Sequence, residues 1–312
     1  MSPAWDDWAK RTPDSLNRAV GEFNGAIARD PHYSEAYAGL ADCYNLLREY
    51  TRMPDAQAFP LARAAAMRAV ALDDRLAAAH AALAFADFNG FWDEAGARRE
   101  FQRAVELDPR SATTRHWYAT FLMETGDGPG SIRQIETARA LDPGSISIAV
   151  DRADVLYIAG RTAEAVSLLK AAESVHPDFA PIHVDLADYA FDQGRDADFL
   201  IELRRLATLR ADRSLMAAAS AADQGFQAAG HDGLMRALLA EEIAQFTSGV
   251  APAYQVARTY ALLGDTARAM DYLQIGIERR EFAVTQMRVD PAFARLRGDR
   301  RFGALAARIR PA

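Results

Sequence analysis

A six-residue phrase returns along this chain at nearly constant intervals, and that periodicity constrains the fold more than any other feature. It reads AIARDP ending at Pro31, AVALDD at Asp74, AVELDP at Pro109, ARALDP at Pro143 and AESVHP at Pro177, with successive ends 43, 35, 34 and 34 residues apart. A period of roughly 34 residues is the length of one helix–turn–helix unit. Such a unit cannot bury an apolar face alone, so units stack on their neighbours into one array instead of separate globular domains.

The spacing inside the repeat agrees. Three residues before each phrase stand Phe23, Ala66, Phe101, Ile135 and Leu169, and four residues earlier again Ala19, Ala62, Ala97, Ser131 and Ala165. Offsets of three and four fall on one face of a helix, so these residues predict a buried stripe on the second helix of each unit. The first helices have their own small-residue slot, at Ala41, Ala84, Ala119, Ala153, Ala187 and Ala257. Gly126, Gly160, Gly194 and Gly264 follow seven residues after the last four, where leaving a helix favours a left-handed residue. Gly230 divides the interval from Gly194 to Gly264, which predicts a degenerate unit over residues 213–248 with LMRALLAEEIAQF as its second helix. The Asp-Pro pairs punctuate the array, because a residue before proline is pushed out of helical geometry.

Composition favours helix: alanine is abundant, and half of the residues are hydrophobic. The net charge of −7 argues against a polyanion as partner. It conceals a basic end, since residues 278–312 hold nine Arg against four acids. The single cysteine, Cys43, excludes an internal disulfide and a cysteine-based zinc site, and reads as a buried small hydrophobe. No signal-peptide pattern and no membrane-length apolar run is present, so a cytoplasmic protein without membrane contact is expected.

The stretches YSEAYAGLADCYNLL, FWDEAGARREFQRAVELDP and SATTRHWYATFLMETGD resemble the tetratricopeptide repeat family, over most of residues 12–280. They look like the arrays behind bacterial winged-helix regulators, nucleotide cyclases and Ser/Thr kinases, and VDPAFARLRGDRRFGALAARI is similar to the segment that closes them. The resemblance implies an all-α, tandem helix–turn–helix solenoid wound as a right-handed superhelix. About seven units would fill residues 1–280, and C-terminal capping helices residues 281–312 of the same domain. Departures are Arg152 at a usually apolar slot, an insertion around TRMPDAQAF, and only WDDWAKR before the first unit's second helix. That short start fits an abbreviated array or a piece of a longer protein.

The resemblance also projects a groove wall from the first helices: Phe85, Phe88, Asn89, His116, Trp117, Thr120, Met123, Asp151, Asp154, Tyr157, Asp185, Asp188, Phe191 and Asp192. Aromatic anchors and clustered acids suit a basic or apolar protein segment. The family's Lys–Arg–Asn clamp for a C-terminal carboxylate is missing, its slots reading Ala38, Asp42, Ala81, Phe85, His116 and Thr120. The same residues also read as inter-repeat packing with a solvated acidic face. The six histidines lack metal-ligand spacing, and GDGPG at 126–130 lacks the ending and preceding strand of a phosphate loop. Neither a metal, a cofactor nor catalysis is expected. The expected role is a peptide- or protein-binding scaffold. One alternative is a sensor module for an output domain encoded upstream; another is a small-molecule-binding or enzymatic solenoid using His116, Tyr157 and the aspartates. Nucleic acid suits only the Arg-rich end, which also reads as a polar cap, and self-association stays open.

Overall fold

The structure, a computed structural model, describes residues 3–51 and 53–309, so Arg52 of the insertion and Arg310 of the basic end lie outside the described residues. The fold is all-α, with no strand among the described residues. Two compact units divide the chain, Met1–Thr125 with Ala140–Asp142, and Gly126–Arg139 with Pro143–Ala312.

The first unit contains α1 (Pro3–Ala9), α2 (Pro13–Arg29), α3 (Ser34–Tyr50), α4 (Asp55–Leu72), α5 (Ala77–Phe91), α6 (Glu94–Leu107) and α7 (Ala112–Glu124). The second contains most of α8 (Gly128–Leu141), then α9 (Ile146–Ile158), α10 (Thr162–Val175), α11 (Ala180–Asp192), α12 (Asp196–Leu209), α13 (Arg213–Thr247), α14 (Ala253–Leu262), α15 (Thr266–Glu278) and α16 (Arg300–Ile309). Consecutive helices pack in pairs, α3 on α4, α5 on α6, α9 on α10, α11 on α12 and α14 on α15. First helices also pack on the next first helix, α3 on α5, α5 on α7 and α9 on α11.

The stripes read from the repeat form the core. Phe23, Phe101, Ile135 and Leu169 are buried on the second helices, and every alanine of the first-helix slot is buried where helices cross. Side chains start the helices: the Thr114 and Ile148 amides donate to Ser111 and Ser145 hydroxyls, and the Gly96 and Arg268 amides to Asp93 and Asp265. Gly126, Gly160, Gly194 and Gly264 take positive φ between 64° and 85° at the turns. In the third repeat, where Phe91 stands in the expected slot, that conformation falls one residue later on Trp92 (φ 62°), while Gly90 packs closely against Phe59. The insertion does not make a long loop. It lengthens α3 and α4 to 17 and 18 residues and leaves a short connection between them.

Residues 213–247 run as helix on both sides of a reversal at Ala229 and Gly230, where Gly230 has φ 61°. The two halves meet so closely that a methyl on Gly225 or Gly233 would overlap the other residue's carbonyl. Beyond α15, two 3₁₀ helices (Phe282–Gln286 and Pro291–Leu296) precede α16, so the closing segment is only partly α-helical. Its arginines tie it together: Arg297 donates to the Val289 and Asp290 carbonyls of the irregular backbone, and Arg288 to the Ala306 carbonyl of α16. No described helix is long and apolar enough to cross a membrane.

Candidate functional site

In the first unit, the projected groove residues are largely packed inward. Trp117 is only 3% exposed, and Phe88, Asn89, His116 and Met123 are also buried, while Phe85 and Thr120 keep part of their surface. Phe85 tilts against Trp117 at 5.0 Å and Phe88 meets Phe121 edge-on at 4.9 Å. The polar members bond to their own helices: Asn89 donates to the Phe85 carbonyl and Thr120 to that of Trp117. Trp8 of α1 meets Trp117 edge-on at 6.5 Å and joins the same apolar cluster.

The second unit carries a different face. Tyr157 of α9 and Tyr189 of α11 stack at 3.8 Å and 9°. Each donates its hydroxyl to the other helix, Tyr157 to Asp192 at 3.1 Å and Tyr189 to Asp154 at 2.5 Å. Donor and acceptor are 35 residues apart in both bonds, one more than the repeat interval, so the two helices carry the pair in opposite order, Asp then Tyr on α9 and Tyr then Asp on α11, one position out of register. Burial and the neighbouring carboxylates push both phenols up, so they act as hydrogen-bond donors and not as bases. Phe191 tilts onto Phe199 at 4.8 Å and packs, half-buried, against the core. Asp151 and Asp185 keep part of their surface.

Arg258 of α14 closes this face. Its guanidinium donates to Asp188 and Asp192 at 2.8 Å each, and Nε lies 3.1 Å from Asp290 without hydrogen-bond alignment. Tyr254 donates to the same Asp290 at 2.8 Å. One cation therefore faces three carboxylates. Burial, opposed by Arg258 and reinforced by Asp290 and Asp188, pushes Asp192 up to about 6. Burial would lower the Arg258 guanidinium, but the surrounding aspartates outweigh it and keep it charged. Behind α14, burial pushes Glu242 up to about 7.

Sequence reasoning did not find Arg258, Tyr189 or Asp290 as members of this cluster. A signal was present for Arg258: it directly follows Ala257, as Asp188 follows Ala187, so the two share a repeat slot with opposite charge.

Two histidines that read as scattered also share a slot. His80 and His183 each stand six residues after a repeat phrase and hold that phrase's last carbonyl through Nε2, Asp74 at 2.9 Å and Pro177 at 2.8 Å. Their Nδ1 atoms meet Glu100 at 2.6 Å and Glu202 at 2.7 Å. Arg115, in the same slot, donates to the Pro109 carbonyl. These contacts pin the inter-repeat turns.

Among the described residues, Glu173, His183 and Glu202 bring donor atoms within 4.8 Å of one another, a metal-like spacing. The Lys170 ammonium already lies there, 2.7 Å from Glu202 and 3.0 Å from Glu173. Burial would raise the Glu202 carboxyl, but Lys170 and His183 outweigh it and hold it below the usual range. Arg152, at its unusual slot, pairs with Glu136 at 2.6 Å. Cys43 is enclosed, and burial pushes its thiol far up, away from reactivity. The GDGPG stretch is a turn at Gly126 and Asp127 running into the first turn of α8, where Asp127 accepts the Gly130 amide at 2.9 Å.

No family model and no curated protein matches the sequence. Solved structures do share its fold. A crystal structure of PilW, a type IV pilus biogenesis factor, is 20% identical, with 68% of this chain and 91% of that one covered at a TM-score of 0.51. A human IFIT1 dimer with PPP-AAAA is 16% identical, with 95% of this chain and 69% of that one covered at 0.61. The tandem helix pairs, buried small-residue slots and these likenesses together establish a tetratricopeptide-type solenoid.

Proposed function

We propose that this chain is a binding scaffold whose second unit holds a basic protein or peptide segment against the first-helix face of α9, α11 and α14. The crossed Asp–Tyr pairs of α9 and α11 carry the reading. They tie α9 rigidly to α11, and Asp151, Asp185 and Asp188, which keep part of their surface, give these helices a preorganised acidic face that a cationic segment can meet without ordering the receptor. Asp188 supports it, since its side chain stays 47% exposed while bonded to Arg258 and can accept from a second donor. The acidic face disfavours a polyphosphate ligand. The tyrosines and aspartates stabilise one another, which suits recognition more than proton transfer.

Fluorescence anisotropy with a labelled tetra-arginine peptide tests the reading. Salt-sensitive binding is expected, weakened about tenfold or more in D151N/D185N/D188N while helicity is kept. Equal binding by the wild type and the triple variant would remove the basis for this assignment. Affinity capture with the same pair then identifies the natural partner.

A further inference from the structure

The first unit contains a surface already covered by part of the chain. Helix α1 spans seven residues and carries Trp5 and Trp8, three apart and hence on one face. Trp5 packs edge-on against Phe23 at 5.2 Å and against Trp8 at 5.6 Å, and Trp8 reaches Trp117. The two indoles pack into clusters built from α2, α3, α5 and α7. The chain then turns at Arg11, which has φ 49° and places its guanidinium 5.3 Å from the centre of the Trp8 ring.

This cover fits its apolar surroundings well and its polar ones badly. Asp42 of α3 lies between Ala41 and Cys43, both members of the cluster that receives Trp5 and Trp8. It is 4% exposed, and its Oδ1 meets no hydrogen-bond donor among the described residues. The Trp8 Nε1 is likewise enclosed without an acceptor. Burial pushes the Asp42 carboxyl well above its ordinary range, and Arg11 opposes this only through space. Nearly all buried polar groups in folded proteins are hydrogen-bonded, so an unmatched carboxyl oxygen beneath a short helix calls for a reason. Elsewhere in the unit, buried acids are matched: Asp87 has Arg63 at 2.6 Å, and Asp7 has Arg18 at 2.9 Å.

We propose that α1 is a displaceable, built-in occupant of this face, and that the face's external partner is a short segment presenting an aromatic ring in place of Trp8 and an Arg or Lys to Asp42. Such a segment keeps the ring packing on Trp117 and adds the donor that α1 withholds. It must compete with a tethered rival whose effective concentration is in the millimolar range, so affinity depends on how readily α1 leaves. The proposal concerns the first unit only and does not rest on the reading of the second.

The test uses the full chain. The probe is a fluorescent peptide with the sequence of residues 3–11, PAWDDWAKR, titrated into the wild type and into W5A/W8A. The double variant is expected to bind about tenfold more tightly than the wild type. A probe with Trp8→Ala should lose that gain. The free peptide is released from the turn that holds Arg11 over Trp8, so its guanidinium can reach Asp42; in a W5A/W8A background, D42N should therefore weaken the intact probe several-fold more than a probe with Arg11→Ala. Equal affinity for the two proteins, or a gain indifferent to W117A, overturns the proposal. Hydrogen exchange of the wild type provides a reading independent of variant folding. Amides of α1 should exchange at least tenfold faster than those of α3, and matching protection would make α1 an integral part of the fold. A concentration-dependent dimer abolished by W8A would assign the face to a second copy and also overturn the proposal.

Discussion

Replacing Arg258 by methionine is the most informative single perturbation of the second unit. The substitution keeps most of the aliphatic stem and removes the only cation facing Asp188, Asp192 and Asp290 among the described contacts. The loss is unequal over the three. Asp188 is 47% exposed and water can take over its solvation, so its share is at most about 1 kcal/mol. Asp192 and Asp290 have side chains only 5% and 9% exposed and become two neighbouring anions without a counterion. Breaking an enclosed pair in this way costs about 3–5 kcal/mol. Asp192 has an escape, because its carboxyl already sits near about 6 and will take up a proton once the guanidinium is gone. The net destabilisation should therefore be about 3 kcal/mol at pH 7.5 and clearly smaller at pH 5. Hydrogen exchange of α11 and α14 resolves the effect from the rest of the chain, and D192N in the R258M background should recover part of it. A loss below about 1 kcal/mol at both pH values, with α11 protected as in the wild type, refutes the idea that this guanidinium holds the face together.

Other consequences follow from groups already described. Asp192 and Glu242 have folded-state values raised to about 6 and about 7 from 3.8 and 4.5. The folded chain thus holds protons that the unfolded chain has released, so stability is fully present at low pH and declines as pH rises through those values. The second unit should lose about 2–4 kcal/mol between pH 5 and 7.5, and E242Q should flatten much of that slope in urea titrations; a wild-type slope near zero contradicts the assignment. Gly233→Ala forces a methyl onto the Gly225 carbonyl and should destabilise α13 by about 1–3 kcal/mol or more, seen as faster exchange on both sides of Gly230. Zinc should leave the wild-type Tm unchanged, whereas K170M uncovers Glu173, His183 and Glu202 and should gain a zinc-dependent rise; a rise already present in the wild type would show that the ammonium does not hold that place.

The solenoid was legible because its signals are local and repeated. Alanines at helix crossings, glycines at turns and the closing phrase each recur in register, so every copy supports the next. Turns fell outside that reading where no glycine marks them, as at Trp92, Ala211 and Arg280, which adopt φ of 62°, 47° and 53°. The groove was harder. A slot on a first helix is exposed or enclosed according to what distant repeats place opposite it, and one repeat period says nothing of that. Trp117 and Phe88 were projected as a wall, but Trp8 of α1 and Phe121 of α7 pack against them. Asp188 and Asp192 were read as available acids, and an arginine 70 residues from Asp188 has bonded both.

That arginine bears on time as well as on structure. A carboxylate already engaged by its own chain is not waiting for a ligand, and any cation that needs Asp192 for itself must arrive while the α14 guanidinium is turned away. Association by such a route cannot be accelerated without limit by adding more ligand, because its observed rate levels off at the rate of that internal departure. A stopped-flow trace that saturates with concentration, at a plateau shared by chemically different cations, would be the kinetic imprint of Arg258. Wherever partner choice runs through this acid, the molecule sets its own tempo first.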